Sequence, residues 1–334
     1  MTIRVGINGF GRIGRSVLRA LYQQNSEEIK VVHINDLMAP KTLAHLLKHD
    51  SVHGTFPHEV STDGDVLTVN SDKISLSGLS SPVELPWGSK KVDVVFECTG
   101  FFNNKEACLE HIKAGAPKVL ISAPAKGEDV TIVYGVNEKE LKKNHQIVSN
   151  ASCTTNCLAP PAMILHEKFK INSGLITTIH SYTNDQRILD VPHSDLRRSR
   201  AAALNMIPTT TGAAKALGLV LPELKGKVDG ISVRVPTPNV SLVDATFEVE
   251  RKTSVEEVNQ VLVDACKSRL KGVMACTEEP LVSQDFNGNP HSSIVDLGMT
   301  KVINSNLIKV FVWYDNETGF SHRMLDVAKL MTTP

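Results

Sequence analysis

The chain carries no net charge, because 36 lysines and arginines are matched by 36 aspartates and glutamates. No overall basic field therefore recommends a nucleic acid or a membrane surface as a primary partner. Basic clusters such as Arg197-Arg198-Ser199-Arg200 are too short for such a surface. They suit a small phosphorylated ligand as well as they suit a solvated loop. Long apolar runs are also missing. No stretch approaches the ~20 residues that a membrane span needs. No charged segment followed by an apolar one is seen at the N-terminus, so no leader is expected. The six cysteines, at 98, 108, 153, 157, 266 and 276, are scattered without metal-ligand spacing. Cys153 and Cys157 are four apart, which is not the C-x-x-C of zinc or redox pairs. A cytoplasmic protein with reduced thiols and no metal is expected. The composition, 41% hydrophobic and 22% charged, is ordinary for a globular protein, and 334 residues suffice for two domains with their own cores.

What is present is concentrated in two places. The first is Cys153. A strand-like run, Gln146 to Ser149, leads into Asn150-Ala151-Ser152-Cys153-Thr154-Thr155-Asn156, which reads as strand, turn and helix start with Ser152 as N-cap. Unpaired N–H groups and the helix dipole there favour a thiolate. A strand of β-branched residues ends 27 residues later at His180, which is able to serve that thiol as general base. A buried structural cysteine is the alternative; the helix-start position and the strand-end histidine weigh against it.

The second is the N-terminus. Ile3 to Asn8 is a short apolar strand, and Gly9-Phe10-Gly11-Arg12-Ile13-Gly14 is G-x-G-x-x-G. An amphipathic helix follows, with Ile13, Val17, Leu18 and Leu21 on one face, and then a second strand ending at Asp36. Strand, glycines, helix, strand and acid in that order make a dinucleotide fingerprint. Gly9 is assigned to the tight turn, Gly11 to close approach of the pyrophosphate, Gly14 to helix–strand packing, and Asp36 to the ribose hydroxyls.

Strands are predicted at 3–8, 30–36, 92–97, 118–122, 131–135 and 146–149, with a helix at 105–114. Alternation of this kind builds a parallel sheet. Beyond Cys153, strands at 174–180, 228–236, 239–250 and 307–314 with a helix at 254–270 suggest a largely antiparallel sheet. The fold class is thus α/β, a Rossmann-type dinucleotide domain joined to an α+β catalytic domain. Residues 183–204 are polar and irregular, and loops of that length are commonly functional. A dinucleotide site with an activated cysteine implies covalent oxidation of an aldehyde to a thioester.

On the segments INGFGRIGR (7–15), SNASCTTNC (149–157), NDQRILDVPHSDLRR (184–198), TGAAKALGLVLPELKGK (211–227), SVRVPTPNVS (232–241) and WYDNETGF (313–320), the chain resembles the phosphorylating glyceraldehyde-3-phosphate dehydrogenase family over essentially its whole length. The resemblance implies a glycolytic enzyme, a homotetramer, that uses NAD, glyceraldehyde 3-phosphate and inorganic phosphate. It implies a dinucleotide domain of residues 1–151 on which a C-terminal helix, 316–334, packs back, and a catalytic domain of residues 152–315. Cys153 and His180 become the catalytic pair. Gly9, Gly11, Arg12, Ile13, Gly14, Asp36, Thr99, Ser122 and Asn316 become cofactor contacts. Thr183 and Arg234 would hold the substrate's phosphate, and Ser152, Thr154, Arg198, Thr211 and Gly212 the attacking phosphate.

The match has departures. Pro161 beside Pro160 would kink the catalytic helix. Val191 stands for a leucine, and Ser80-Ser81-Pro82 for Arg-Asp-Pro. Thr318 and His322 replace an aromatic residue and an asparagine. Erythrose-4-phosphate dehydrogenase is the enzymatic rival, disfavoured by the phosphate-binding pattern of residues 207–217. A nucleotide-sensing or RNA-binding protein would lack the cysteine or the histidine, or show a basic face.

Overall fold

The computed structural model describes residues 2–332. The chain forms two compact units, one of Met1–Ile132, Glu138–Ala151 and Ser321–Pro334, the other of Val133–Asn137 and Ser152–Phe320. Asn316 to Phe320, expected with the C-terminal helix, group with the second unit.

The first unit is built on nine strands: β1 (Ile3–Asn8), β2 (Ile29–Asn35), β3 (Val60–Asp63), β4 (Val66–Val69), β5 (Asp72–Ser77), β6 (Val94–Glu97), β7 (Val119–Ile121), β8 (Val130–Thr131) and β9 (Ile147–Ser149). Their order is β3-β4-β5-β2-β1-β6-β7-β9-β8, and all pairs are parallel except β3–β4 and β4–β5. Helices α1 (Arg12–Gln24), α2 (Pro40–Lys48) and α3 (Lys105–Lys113) connect them. β1 lies between β2 and β6, so the chain leaves it first to one side and later to the other. Such a switch point opens a crevice at the carboxyl ends of the strands, where ligands of open α/β sheets bind. β1 and β6 are buried throughout most of their length, as parallel strands covered on both faces must be.

The second unit holds α4 (Cys153–Phe169), β10 (Ile171–Ser181), β11 (Ile207–Thr210), α5 (Ala213–Val220), β12 (Val228–Val235), β13 (Ser241–Val249), α6 (Val255–Lys267), β14 (Met274–Thr277), β15 (Ser293–Ile303) and β16 (Leu307–Tyr314). The seven strands run β11-β12-β10-β13-β16-β15-β14, antiparallel except at β10–β12 and β14–β15. A last helix, α7 (Thr318–Thr332), belongs to the first unit from Ser321 onward. There His322 Nδ1 lies 2.9 Å from Gln24 Nε2 on α1, and Lys329 pairs with Glu28 at 2.6 Å.

α4 runs unbroken through Pro160 and Pro161. Pro161 has no N–H to give the Cys157 carbonyl one turn back, which is what makes proline costly inside a helix. Ser293 of β15 supplies the missing donor, its Oγ bonding Cys157 O at 2.7 Å. Cys157 itself is fully buried. Among the described residues no helix is long and apolar enough to cross a membrane, and no group of three or more His, Cys, Asp or Glu could hold a metal ion.

Candidate active site

The dinucleotide fingerprint folds as a β–turn–α unit. Gly9 takes φ +89°, and a Cβ there would stand 2.7 Å from the Thr99 amide nitrogen. A Cβ on Gly14 would fall 2.2 Å from Gly9 O, so glycine is what lets α1 start this close to the turn. A Cβ on Gly11, the N-cap of α1, would meet nothing within 4 Å. That open space at an uncapped helix start fits a pyrophosphate. Asp36, at the end of β2, accepts the Phe10 amide at 2.7 Å and the Met38 amide at 3.0 Å, which aims its carboxylate at the glycine turn.

These residues border a cavity of about 520 Å³, lined by Asn8, Gly9, Gly11, Asn35, Asp36, Leu37, Leu79, Ser80, Pro82, Cys98, Thr99, Phe101 and Phe102. Apolar walls with a few convergent polar groups suit a nucleoside. Ser80, one of the departures, lies on this wall. Ser122 is not among the lining residues; its amide donates to Glu97 O at 3.0 Å. Arg12, which begins α1, sends its guanidinium to Asp50 at 2.6 Å. Burial raises the Asp50 pKa, but the His53 and Val52 amides and Arg12 outweigh it and bring the carboxyl to about 2.

Reasoning from sequence missed the buried network that holds Asn8, Asn35 and Thr99 on this cavity's wall. Glu97, buried at the end of β6, accepts Asn8 Nδ2 at 2.7 Å and the Thr99 amide at 2.8 Å, and it also bonds the Thr99 hydroxyl. Asn35 Nδ2 donates to Asn8 Oδ1 at 2.8 Å. Behind them Trp87 Nε1 donates to His111 Nδ1 at 3.0 Å, which leaves His111 Nε2 to donate to Glu97 at 3.1 Å. A fully connected buried network of this kind rigidifies the loop it carries. The only signal in the sequence was polar residues at strand ends.

The second unit carries the reactive groups. Ser152 caps α4, its Oγ accepting the Thr155 amide at 3.0 Å, so Cys153 is the first helical residue. Cys153 Sγ lies 3.5 Å from His180 Nε2. His180 comes from the end of β10, and the parallel register sets it directly beside Arg234 of β12. Arg234 Nη1 is 3.0 Å from His180 Nδ1 and also donates to Ser181 O at 3.0 Å. His180 Nδ1 lies 2.7 Å from the same carbonyl. With Nδ1–H donating to Ser181 O, the Nε2 lone pair faces the cysteine, which is the tautomer a general base needs.

The electrostatics correct one expectation. Burial lowers the His180 pKa to about 3, and the Arg234 and Arg198 charges add to the effect. Burial raises the Cys153 pKa, while Arg234, the Thr154 hydroxyl and the amides of residues 153 and 154 pull it down without prevailing. Burial thus opposes the charged form of both groups and favours thiol and neutral imidazole over the ion pair. Helix-terminal amides favour an anion, but here desolvation and an adjacent arginine keep the imidazole from taking the proton.

Arg234 Nε is buried and, among the described residues, has no hydrogen-bond partner. Buried polar groups are nearly always paired, so an orphaned donor on a cation beside the nucleophile fits an anionic substrate. The Thr154 hydroxyl lies 2.9 Å from the Tyr314 OH, which also meets Thr178 Oγ1 at 2.9 Å, so the first turn of α4 is tied to the sheet. Arg198 bonds Asp185 at 2.6 Å, Thr209 Oγ1 at 2.9 Å and Thr210 O at 3.2 Å. Thr183 gives its amide to Gln186 at 2.9 Å. Thr211 Oγ1 accepts the Ala213 amide at 3.2 Å, and Gly212 starts α5 without a side-chain cap. Among the described residues no hydrogen bond links Thr183, Thr211 or Gly212 to the Cys153–His180 pair.

Asn316 is held by two hydroxyls that sequence reasoning also missed. Its Oδ1 accepts Ser181 Oγ at 2.8 Å and Ser241 Oγ at 2.9 Å, and both serines are buried. With the oxygen taken twice, the amide offers a ligand its Nδ2–H₂. Asp315 fixes the turn by accepting the Glu317 and Thr318 amides at 2.9 and 2.8 Å.

Comparison with known proteins agrees with both halves. Residues 152–316 match the model described as glyceraldehyde 3-phosphate dehydrogenase, C-terminal domain, and residues 3–105 the one described as its NAD binding domain. The chain belongs to the glyceraldehyde-3-phosphate dehydrogenase family. It is 57% identical to glyceraldehyde-3-phosphate dehydrogenase of Geobacillus stearothermophilus and 55% identical to glyceraldehyde-3-phosphate dehydrogenase 1 of Bacillus subtilis (strain 168), covering 98% of each chain in both cases. Against the plasmid-encoded enzyme of Cupriavidus necator it is 58% identical, again over 98% of both.

Proposed function

We propose that the protein oxidises glyceraldehyde 3-phosphate to 1,3-bisphosphoglycerate with NAD, in glycolysis and gluconeogenesis, through a thioester on Cys153. The observation that carries this reading is Cys153 Sγ 3.5 Å from His180 Nε2 with the Arg234 guanidinium on the far side of the same imidazole. His180 takes the Cys153 proton as sulfur adds to the aldehyde carbon and passes it to the carbonyl oxygen, giving a hemithioacetal. It then takes the hemithioacetal's hydroxyl proton as the C–H hydride leaves and the thioester forms. Bound NAD supplies the acceptor for that hydride. The Cys153 amide donates to the oxygen of the adduct. Arg234 and Thr183 hold the substrate's phosphate. Ser152, Thr154, Arg198, Thr211 and Gly212 receive the inorganic phosphate that displaces Cys153 from the acyl carbon.

Substrate binding tunes the base. A phosphate on Arg234 cancels the charge that helps depress His180, so its pKa rises toward the working range only when substrate is present. Gly9, Gly11, Ile13, Gly14, Asp36 and Thr99 hold the dinucleotide, and Asn316 gives its Nδ2–H₂ to the nicotinamide carboxamide. Exposed Ile188, Leu189, Leu196, Leu204 and Met206 crowd the irregular 183–206 segment. An apolar surface of this kind supports self-association, in keeping with a cytoplasmic homotetramer. The test is NADH formation from glyceraldehyde 3-phosphate with and without inorganic phosphate. Sustained turnover should require phosphate; steady turnover without it would favour a hydrolytic aldehyde dehydrogenase.

A further inference from the structure

Two cysteines outside the site described above lie against each other. Cys266 is the penultimate residue of α6, and Cys276 lies in β14, an edge strand of the second sheet. Their sulfurs are 3.2 Å apart, and both residues are half-buried rather than sealed in the core. The segment between them turns back tightly. The Ser268 and Leu270 amides both donate to Ala265 O, at 3.2 and 3.0 Å, and the Met274 amide donates to Leu270 O at 2.9 Å. Gly272 supplies the left-handed residue of the turn, at φ +79°. α6 packs on β14 and β15, so the fold itself holds the two thiols together. Their spacing in the sequence matches no recognised redox pattern, which is why only the structure brings them into view.

We propose that Cys266 and Cys276 form a peroxide-responsive dithiol that closes reversibly to a disulfide, a modification site separate from the Cys153–His180 pair. Closing the bond takes the sulfurs from 3.2 Å to about 2.05 Å, a movement within the reach of small side-chain rotations. The hydrogen bond from the Cys276 thiol lowers the Cys266 pKa, and the same bond raises that of Cys276. Cys266 is therefore the attacking sulfur and Cys276 the resolving one. The Cys266 thiolate attacks one peroxide oxygen, the O–O bond breaks, and the departing hydroxide takes a proton to become water. Cys266 is left as a sulfenic acid, the reversible first rung of thiol oxidation. Cys276 sulfur then attacks Cys266 sulfur, the S–O bond breaks, and a second hydroxide leaves with the Cys276 proton as water. In total two thiols and one hydrogen peroxide give one disulfide and two waters. The sulfurs lose two electrons and the peroxide gains them. A thiol reductant reverses the step by exchange.

The test is peptide mapping of the full-length protein after brief treatment with a few equivalents of hydrogen peroxide, followed by alkylation and digestion. The expected product is a Cys266–Cys276 cross-linked peptide pair, two hydrogens lighter than the reduced peptides and lost on treatment with dithiothreitol. In Cys276→Ser the Cys266 sulfenic acid should persist and be trapped by dimedone. In Cys266→Ser, Cys276 should remain fully alkylatable. Both variants should keep the NADH-forming rate within twofold of the parent. Complete alkylation of both cysteines under conditions that oxidise Cys153 would overturn the proposal. So would a disulfide from either of them to a different cysteine. Should a variant fail to fold, the map of the parent protein still decides.

Discussion

Arg234 and His180 are register partners on adjacent parallel strands, with Arg234 Nη1 3.0 Å from His180 Nδ1. Arg234 depresses the base, and in the proposed mechanism the same cation holds the substrate's anion, so binding and proton transfer would share a residue. Replacing it separates the two roles. Arg234→Leu removes charge-assisted bonds of about 1.5–3 kcal/mol, so KM for glyceraldehyde 3-phosphate should rise about 10- to 100-fold, and unphosphorylated glyceraldehyde should lose far less. The acid limb of the kcat/KM pH profile at low substrate should move to higher pH in the variant. An unmoved limb would mean that Arg234 does not tune His180.

The same depression makes a stability prediction. The unfolded state binds a proton at His180 near the ordinary value of 6.5, and the folded state only near 3. Stability from keeping this imidazole neutral is therefore complete above about pH 6.5 and is lost as pH falls toward 3. His33, lowered to about 4 chiefly by burial, adds to the loss in the same direction. Thermal melts of the parent and His180→Asn at pH 7.5 and pH 5 check this. The parent should lose more melting temperature between the two than the variant, and equal losses would count against it.

The Ser181–Asn316–Ser241 clamp predicts an effect on cofactor affinity. Ser241→Ala removes one bond to Asn316 Oδ1, worth about 1 kcal/mol, and frees the amide to turn. The Kd for NAD by calorimetry should rise about fivefold, with ADP-ribose binding unaffected. An equal loss for both ligands would show that Ser241 acts on stability alone.

Cofactor choice should follow from Asp36. Its carboxylate would repel the 2′-phosphate of NADP, so strong NAD preference is expected. Asp36→Asn keeps the length and an acceptor for the Phe10 amide while removing the charge. It should narrow the ratio of kcat/KM values about tenfold, mainly through KM for NADP. A parent enzyme equally efficient with both cofactors would contradict this assignment.

Much of the fold was legible because its strands are short, apolar and bounded by glycine or proline. The glycine turn, β16 and the N-cap of Cys153 follow directly from residue type and spacing. β3 to β5, the helices α2 and α5, and the strands β11, β14 and β15 did not stand out. β3 and β4 have four residues each, too short for a period to emerge. The Cys153–His180 pairing was legible as chemistry, yet its resting protonation was not, because that depends on the burial and on the Arg234 register that only the folded sheet supplies. Glu97, Ser181 and Ser241 were invisible for a similar reason. Each is an ordinary polar residue at a strand end until its partners, 60 to 135 residues distant for the two serines, arrive beside it.

In the proposed mechanism Cys153 carries the acyl group between oxidation and phosphate attack. Protein mixed with glyceraldehyde 3-phosphate and NAD without inorganic phosphate, then quenched in acid and digested, gives the most direct test by mass spectrometry. One phosphoglyceryl group per chain is expected, on Cys153, appearing with a matching burst of NADH and disappearing when phosphate is added before the quench. A burst of NADH with no adduct on Cys153, or an adduct on another residue, would contradict it.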